Sequence, residues 1–345
     1  MIYKYVLLAI FISTSFYSNY LKAESIWVKY GNQIFRGVGD AKAIGLSESG
    51  VAAATGPLSI IWNPARLNSV DERSFIFAHQ ERFAGSVTFD IFGIDLQQRS
   101  ESNWSLVLIR EAVQGIPKTT DALLFGTGSL DDPEERVLSS NVTFFNQSQW
   151  AGVIGFATSR GEWNLGGNTK VLIHQLGEFS GWGIGFDVGG WKRLSTNNVI
   201  GISIRDITTS WVIWDSGTVE RISPELRLGD AHSFNFDVFP LKVTTMGTIV
   251  LSMEGKKKND DFFIGSFGSH YRLGLELNYN NKLNIRCGRN PISGFSTGLG
   301  FIFNFGEIDY AFVPSPLGTI LGSSHYVSLN LKLEAIDSFF GILKK

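Results

Sequence analysis

The sequence has one cysteine, Cys287, in 345 residues. That excludes a disulfide framework, a thiolate zinc site and a lipidated cysteine after a leader. Charged residues make up only 18%, against roughly 25% in an average soluble protein. The net charge of −2 leaves no basic field, so nucleic acid is excluded as a partner. After residue 23 no apolar run approaches the roughly 20 residues that a membrane helix needs. What is abundant is glycine, 38 residues, and aromatic side chains, 13%. Apolar content of 43% with little net charge argues against disorder. Low charge with high glycine and aromatic content suits an all-β chain whose solvent is partly lipid.

Residues 1–23 read as a secretory signal. Lys4 supplies the positive start, Val6 to Ile12 the short apolar core, and Ala23 the end of a cleavage site. This places the mature chain beyond the inner membrane: periplasmic, secreted, or in an outer membrane as a barrel. Residues 24–73 are rich in small residues and then run through Trp62-Asn63-Pro64-Ala65. They form a compact, loop-rich N-terminal segment in which Gly56-Pro57 and Asn63-Pro64 mark turns.

From Ser74 the pattern changes to a period of two. Tyr271, Leu273, Leu275, Leu277 and Tyr279 alternate with Arg272, Gly274, Glu276 and Asn278. Ile200, Ile202 and Ile204 oppose Gly201, Ser203 and Arg205. Trp182, Ile184, Phe186 and Val188 oppose Gly181, Gly183, Gly185, Asp187 and Gly189. Such alternation predicts strands with one apolar and one polar face. About fourteen such segments are expected between 74 and 334, with 335–345 as a tail. The segments at 85–96 and 244–255 alternate poorly.

The expected joins sort by length. Those after even-numbered segments are short, among them Tyr279-Asn280-Asn281-Lys282, Arg160-Gly161 and Phe305-Gly306. Several after odd-numbered segments are long, at 113–146, 207–224, 256–268 and 314–323. Short turns on one side with long loops on the other suit an outer-membrane barrel. The fold expected is therefore all-β: a transmembrane outer-membrane barrel of about 14 antiparallel strands. Its apolar face meets lipid and its polar face the lumen. A soluble β-sandwich or propeller, with the apolar faces packed inside, is the competing reading. Tyr271 and Tyr279 bracket the leucines as girdle residues, and Trp163 and Trp182 fit that role on their strands. The charged residues expected to face the lumen are Asp187, Arg205, Arg272, Glu276, Lys332 and Glu334.

No enzymatic chemistry stands out. Gly294-Phe295-Ser296-Thr297-Gly298 matches a nucleophile-elbow pattern, but another alternating strand follows where a helix is required. The five histidines lack metal-ligand spacing. Lys256 to Asp261 reads as a solvated loop tip. The chain is expected to be a non-enzyme with no cofactor and no metal.

The N-terminal blocks Gly39-Asp40-Ala41-Lys42-Ala43-Ile44-Gly45 and Trp62-Asn63-Pro64-Ala65-Arg66-Leu67 carry a resemblance, as do later ones. These include Arg272 to Glu276, Gly298-Leu299-Gly300, Ile308 to Phe312 and His325 to Leu329. Together they resemble the outer-membrane proteins that include long-chain fatty-acid transporters (FadL-like) and type IX secretion barrels (PorV-like). Lys42 stands near an expected Arg, and Arg66 replaces the usual Gly. The resemblance implies a 14-stranded barrel with an N-terminal hatch in its lumen, shaped by Trp62, Asn63, Pro64 and Ala65. It implies an outer-membrane location with two candidate roles. One is a conduit for hydrophobic small molecules, which is the reading preferred. The other is a docking or shuttle component of type IX secretion. That role would use the long outer joins and an apolar patch of Trp211, Ile213 and Trp214. A purely structural barrel is a third possibility. The partners expected are outer-membrane lipid, a hydrophobic ligand and, on the second role, secretion-system proteins.

Overall fold

The computed structural model describes residues 25–27, 33–69, 72–98, 102–125, 135–236, 239–253, 260–315 and 321–335. The expected leader at 1–23 and nearly all of the expected tail lie outside these residues. Fourteen antiparallel strands make one closed barrel. They are β1 Ser74–Arg82, β2 Val87–Gln98, β3 Ser102–Lys118, β4 Thr143–Arg160, β5 Trp163–Leu176 and β6 Phe179–Ser195. β7 comes in two pieces, Asn198–Arg205 and Ser210–Trp214, and β8 likewise, Val219–Ile222 and Glu225–Phe236. Then come β9 Leu241–Ser252, β10 Phe267–Tyr279, β11 Leu283–Asn290, β12 Gly294–Phe303, β13 Gly306–Val313 and β14 Ser324–Lys332. β14 pairs with β1, from His325 opposite Glu81 to Lys332 opposite Ser74, which closes the ring.

Alternation decides the two faces. Exposed apolar side chains point outward around the wall, among them Leu108, Val171, Ile202, Ile249, Leu273 and Val327. Each such side chain left in water forfeits roughly 1.5–3 kcal/mol of burial. A belt of them on a closed sheet therefore requires lipid, and closure leaves no unpaired strand edge in it. Tyr271 and Tyr279 lie on this face, exposed, at the two ends of the leucine row. Trp163 and Trp182 are exposed on it as well. Among the described residues no helix is long and apolar enough to cross a membrane. The barrel crosses with strands.

The turns at one end are tight. Asn280 and Asn281 both have positive φ, 53° and 52°, the geometry of the primed hairpin turn that Asn tolerates. Gly161 takes φ 60° in the turn joining β4 to β5. Gly306 does not serve a turn. It opens β13, and Asn304 and Phe305 make the bend. At the other end, joins at 119–142 and 253–266 are long.

One expected loop is wall instead. Residues 207–224 are not a long join, because Ser210–Trp214 pairs with both β6 and Val219–Ile222. The strand breaks only at Asp206 to Thr209, where Asp206 and Thr209 have φ of 52° and 65°. Residues with left-handed φ leave the ladder, so a periodicity reading stops there although the strand resumes. Trp211, Ile213 and Trp214 thus belong to the barrel and not to a loop patch. A short strand, Ser25–Trp27, adds in parallel to the outer end of β8 at Val219 to Arg221.

The lumen is filled. Residues 33–69 run through it as a plug of short helices: Gln33–Phe35, α1 Ala41–Gly45, α2 Ser59–Trp62 and the 3-10 segment Pro64–Ser69. Asp40 caps α1 by accepting a hydrogen bond from the Ala43 amide at 2.7 Å. Pro64 opens the last segment, where its fixed φ suits a first helical position. The strands that alternate poorly carry buried apolar residues on their inward face. Ile91 on β2 is buried in one apolar cluster with the plug, and Val250 on β9 is buried as well. Phe92 and Ile249 beside them face lipid.

Candidate functional site

The site is the lumen, where wall and plug meet. Wall glycines make the close fit. A Cβ on Gly166 of β5 would stand 2.5 Å from the Ala65 nitrogen, and one on Gly201 of β7 would stand 2.6 Å from the Val51 carbonyl oxygen. Backbone packs on backbone at these seats, which only glycine permits.

Asn63 is fully buried. Its Nδ2 donates to the Val51 carbonyl at 2.9 Å and to the Gly190 carbonyl of β6 at 3.0 Å. Its Oδ1 accepts from the Ala65 amide at 3.2 Å. Three bonds from one side chain join two plug turns and the wall. The Ala65 carbonyl accepts from Trp191 Nε1 at 2.8 Å. Arg66 lays its guanidinium 4.4 Å from the Trp191 ring centroid and donates to the Ala54 carbonyl at 3.1 Å. This is a cation–π contact between plug and wall at the short-turn end. Trp62 is buried, and its ring occupies the space that a Cβ on Gly39 would need.

The charged candidates divide. Asp187, Arg205, Arg272 and Glu276 lie inside, in four separate contacts. Lys170 Nζ bridges Asp187 at 2.7 Å and Asp206 at 2.6 Å. Arg205 Nη2 donates to the Phe35 carbonyl of the plug at 2.9 Å. Arg272 Nη1 donates to Glu48 Oε2 of the plug at 2.6 Å. Glu276 accepts from Arg286 Nε at 2.6 Å, and the same guanidinium reaches Glu307 at 2.7 Å and Asp309. Lys332 and Glu334 do not face the lumen. Lys332 pairs with Glu72 at 2.7 Å and Glu334 with Arg73 at 3.4 Å, in exposed contacts at the rim. Parity placed Lys332 on the right face, but it sits at the end of β14, where that face opens to water. Glu334 lies past the strand.

Sequence reasoning missed Lys170, Asp206, Glu48 and Arg286. Lys170 and Arg286 do carry a signal: each is a basic residue on the inward parity of a strand whose neighbour has an inward acid close by, Glu276 directly opposite Arg286 and Asp187 two residues beyond Gly185, the partner of Lys170. Glu48 carries none, because it sits in a turn with no period. Burial raises the carboxyl pKa of the plug residue Asp40, although the Ala43 amide pulls it back. For Lys42 burial works against the ammonium, but Glu276 and Glu307 outweigh it and raise its pKa. Asp260, expected on a solvated loop tip, instead has a buried side chain packed where a Cβ on Gly268 would stand. Lys256 to Lys258 lie outside the described residues. Ser296 sits mid-strand with no helix after it. Its Oγ donates to the Gly45 carbonyl at 3.0 Å and lies 2.7 Å from Ser47 Oγ. It is a seat for the plug.

Above the plug, toward the long loops, the lumen opens into a cavity of about 430 Å³. One side carries the apolar surface of Val87, Phe89, Val313 and Tyr326, with Arg82 stacked 4.2 Å from the Phe89 ring centroid and Glu111 beside it. The other is charged, with Glu48, Glu225, Arg227 and Arg272. Arg227 Nη1 and Arg272 Nε are buried without a hydrogen-bond partner, so this wall keeps donors in hand for a polar group. The volume falls within the range of small-molecule sites, roughly 300–1,000 Å³. A second space of about 30 Å³ lies inside the plug, lined by Leu46, Ala53, Trp62 and Met246. Among the described residues no group of three or more His, Cys, Asp and Glu is placed to hold a metal.

No protein-family model and no curated protein matches the chain. Solved structures do. The toluene transporter TbuX of Ralstonia pickettii is 11% identical, with 85% of this chain and 98% of that one covered and a TM-score of 0.55. The toluene transporter TodX of P. putida is 12% identical over 84% of this chain and 98% of that one, with a TM-score of 0.53. A second TodX structure from Pseudomonas putida is 13% identical over 81% and 94%, with a TM-score of 0.51. At these identities the likeness establishes the shared fold, a closed antiparallel barrel.

Proposed function

We propose that the protein is a conduit for hydrophobic small molecules across a bacterial outer membrane, closed at rest by its N-terminal plug. The observation that carries this reading is the cavity of about 430 Å³ above the plug, with an apolar side of Val87, Phe89, Val313 and Tyr326. A cavity near 150 Å³ suffices for benzene, so this one has room for a substituted ring or a bent alkyl chain. Two further observations support it. The barrel shares its fold with two toluene transporters, and a leader at 1–23, as the sequence leads one to expect, would direct the chain across the inner membrane.

On this reading Trp62, Asn63, Pro64 and Ala65 are the brace of the plug, not a binding motif. Their contacts run to the wall and to other plug turns, and none of them lines the large cavity. The inward charges hold the plug in register; none of the contacts they make is an acid–base arrangement suited to catalysis. The protein therefore acts by binding and passage. The secretion-docking reading has lost the patch proposed for it, since Trp211, Ile213 and Trp214 are wall residues.

The test is uptake. A strain lacking its own hydrocarbon and fatty-acid channels, expressing this protein, should take up radiolabelled toluene or oleate several-fold faster than the empty strain. Uptake at the empty-strain rate for both, with the folded barrel present in the outer membrane, would remove the proposal.

A further inference from the structure

The chain turns sharply between the two lumenal spaces. Ser47 and Glu48 are consecutive non-glycine residues with φ of 51° and 62°, a strained backbone that persists only where its surroundings hold it. Both residues line the large cavity, and Leu46 just before them lines the smaller space below. The turn is therefore the partition between the two.

Within the plug the Ser47 and Glu48 amides donate to the Ile44 and Ala43 carbonyls at 2.8 and 2.9 Å, and three wall side chains hold the turn in place across the lumen. Arg272 Nη1 reaches Glu48 Oε2 at 2.6 Å, with side chains only 5% and 11% exposed. Ser47 Oγ lies 2.7 Å from Ser296 Oγ, and Thr248 Oγ1 donates to the Ser49 carbonyl at 3.1 Å. The last two are neutral hydrogen bonds. The first is a buried, charge-assisted contact, the stronger kind, and it acts on the strained residue itself.

We infer that the Glu48–Arg272 pair is the latch of the plug: it holds the left-handed turn across the lumen, and its release joins the outer cavity to the space below. This rests on the conduit reading and names the residues that regulate it. The arrangement suits a latch on physical grounds. Strain in the turn favours leaving the closed form, and the buried ion pair is the one charge-assisted contact from the wall that opposes it, beside the two neutral ones. Breaking that pair leaves a charge that gains by moving toward the water of the cavity. The glycines facing this segment, Gly274 and Gly288, lie against Leu46 backbone atoms. The wall therefore puts no side chain in the path of a shift of the turn at these two positions.

The test is ion conductance of the purified full-length protein in planar bilayers, which needs no hydrophobic cargo. Glu48→Gln and Arg272→Gln should each raise the open fraction or mean conductance at least about threefold. The double variant should be no leakier than either single, since one contact is lost in all three. Lys332→Gln at the rim should match the wild type. Wild-type conductance in both single variants, or an additive effect in the double, overturns the inference. Heat-modifiable migration on a gel establishes that each variant is folded. If a single variant does not fold, Glu48→Asp keeps the charge and shortens its reach. Conductance above wild type then supports the latch, and wild-type conductance overturns it. Cargo uptake can fail while this result stands, and the reverse also holds, so the two readings fall separately.

Discussion

On the side of β1 to β5, Ile60, Trp62 and Leu67 of the plug share one buried cluster with Ile91, Ile109 and Val153 of the wall. Across the lumen, β10 to β13 present Arg272, Glu276, Arg286, Glu307 and Asp309, and the plug answers there with Glu48 and Lys42. The first side works as a protein core does, through area removed from water, without direction and tolerant of changes in shape. The second works through a few directed ion pairs that fix register and leave no tolerance for a lost partner. A plug held by apolar packing on one side and by charge on the other can pivot toward one and away from the other. The strained turn lies at the charged side, and the cavity reaches from it across to Val87 and Phe89 on the other.

Substitutions at four positions break or sharpen this contrast, each read as the urea midpoint of the folded barrel in detergent. Arg286→Ala should cost most, about 3–5 kcal/mol, because it takes from Glu276, Glu307 and Asp309 the guanidinium they share and leaves three buried acids to the one ammonium of Lys42. A smaller loss than at an apolar position would mean that water or protons already neutralise the cluster. Ile60→Ala on the apolar side should cost about 2–5 kcal/mol, but Ile60→Val only about 0.5–1.5. A large loss with Val would show that side to be as exacting as the charged one. Asn63→Ala removes three hydrogen bonds at the boundary and should cost about 1–3 kcal/mol. Lys332→Ala, outside both halves, should cost under about 1 kcal/mol, and a greater effect would put the rim pair among the anchors of the plug.

Much of the barrel was legible because lipid and lumen impose a period of two that survives in the residues. The strand number, the closing turn at Asn280-Asn281 and the outward leucines of β10 all follow from it. Three things did not. The break in β7 depends on the left-handed φ of Asp206 and Thr209, which the alternation does not encode. The faces of β2 and β9 were ambiguous because Ile91 and Val250 are buried on the inward face, so both faces of those strands carry apolar residues. Depth was invisible: parity gives the face of Lys332 but not its distance from water. In the site, Asn63-Pro64 was visible as a turn, whereas the pairing of Glu48 with Arg272, 224 residues apart, leaves no local pattern.

Everything here depends on lipid covering the outer face while the plug fills the inner one, and the single cysteine offers a direct probe. Cys287 lies exposed on β11, level with Leu275 and Thr297 in the ladder and on the outward parity. A fluorophore attached there in the reconstituted full-length protein should be quenched by lipids brominated along the acyl chain and left untouched by aqueous iodide. Strong quenching by iodide with none from the brominated lipids would contradict the account.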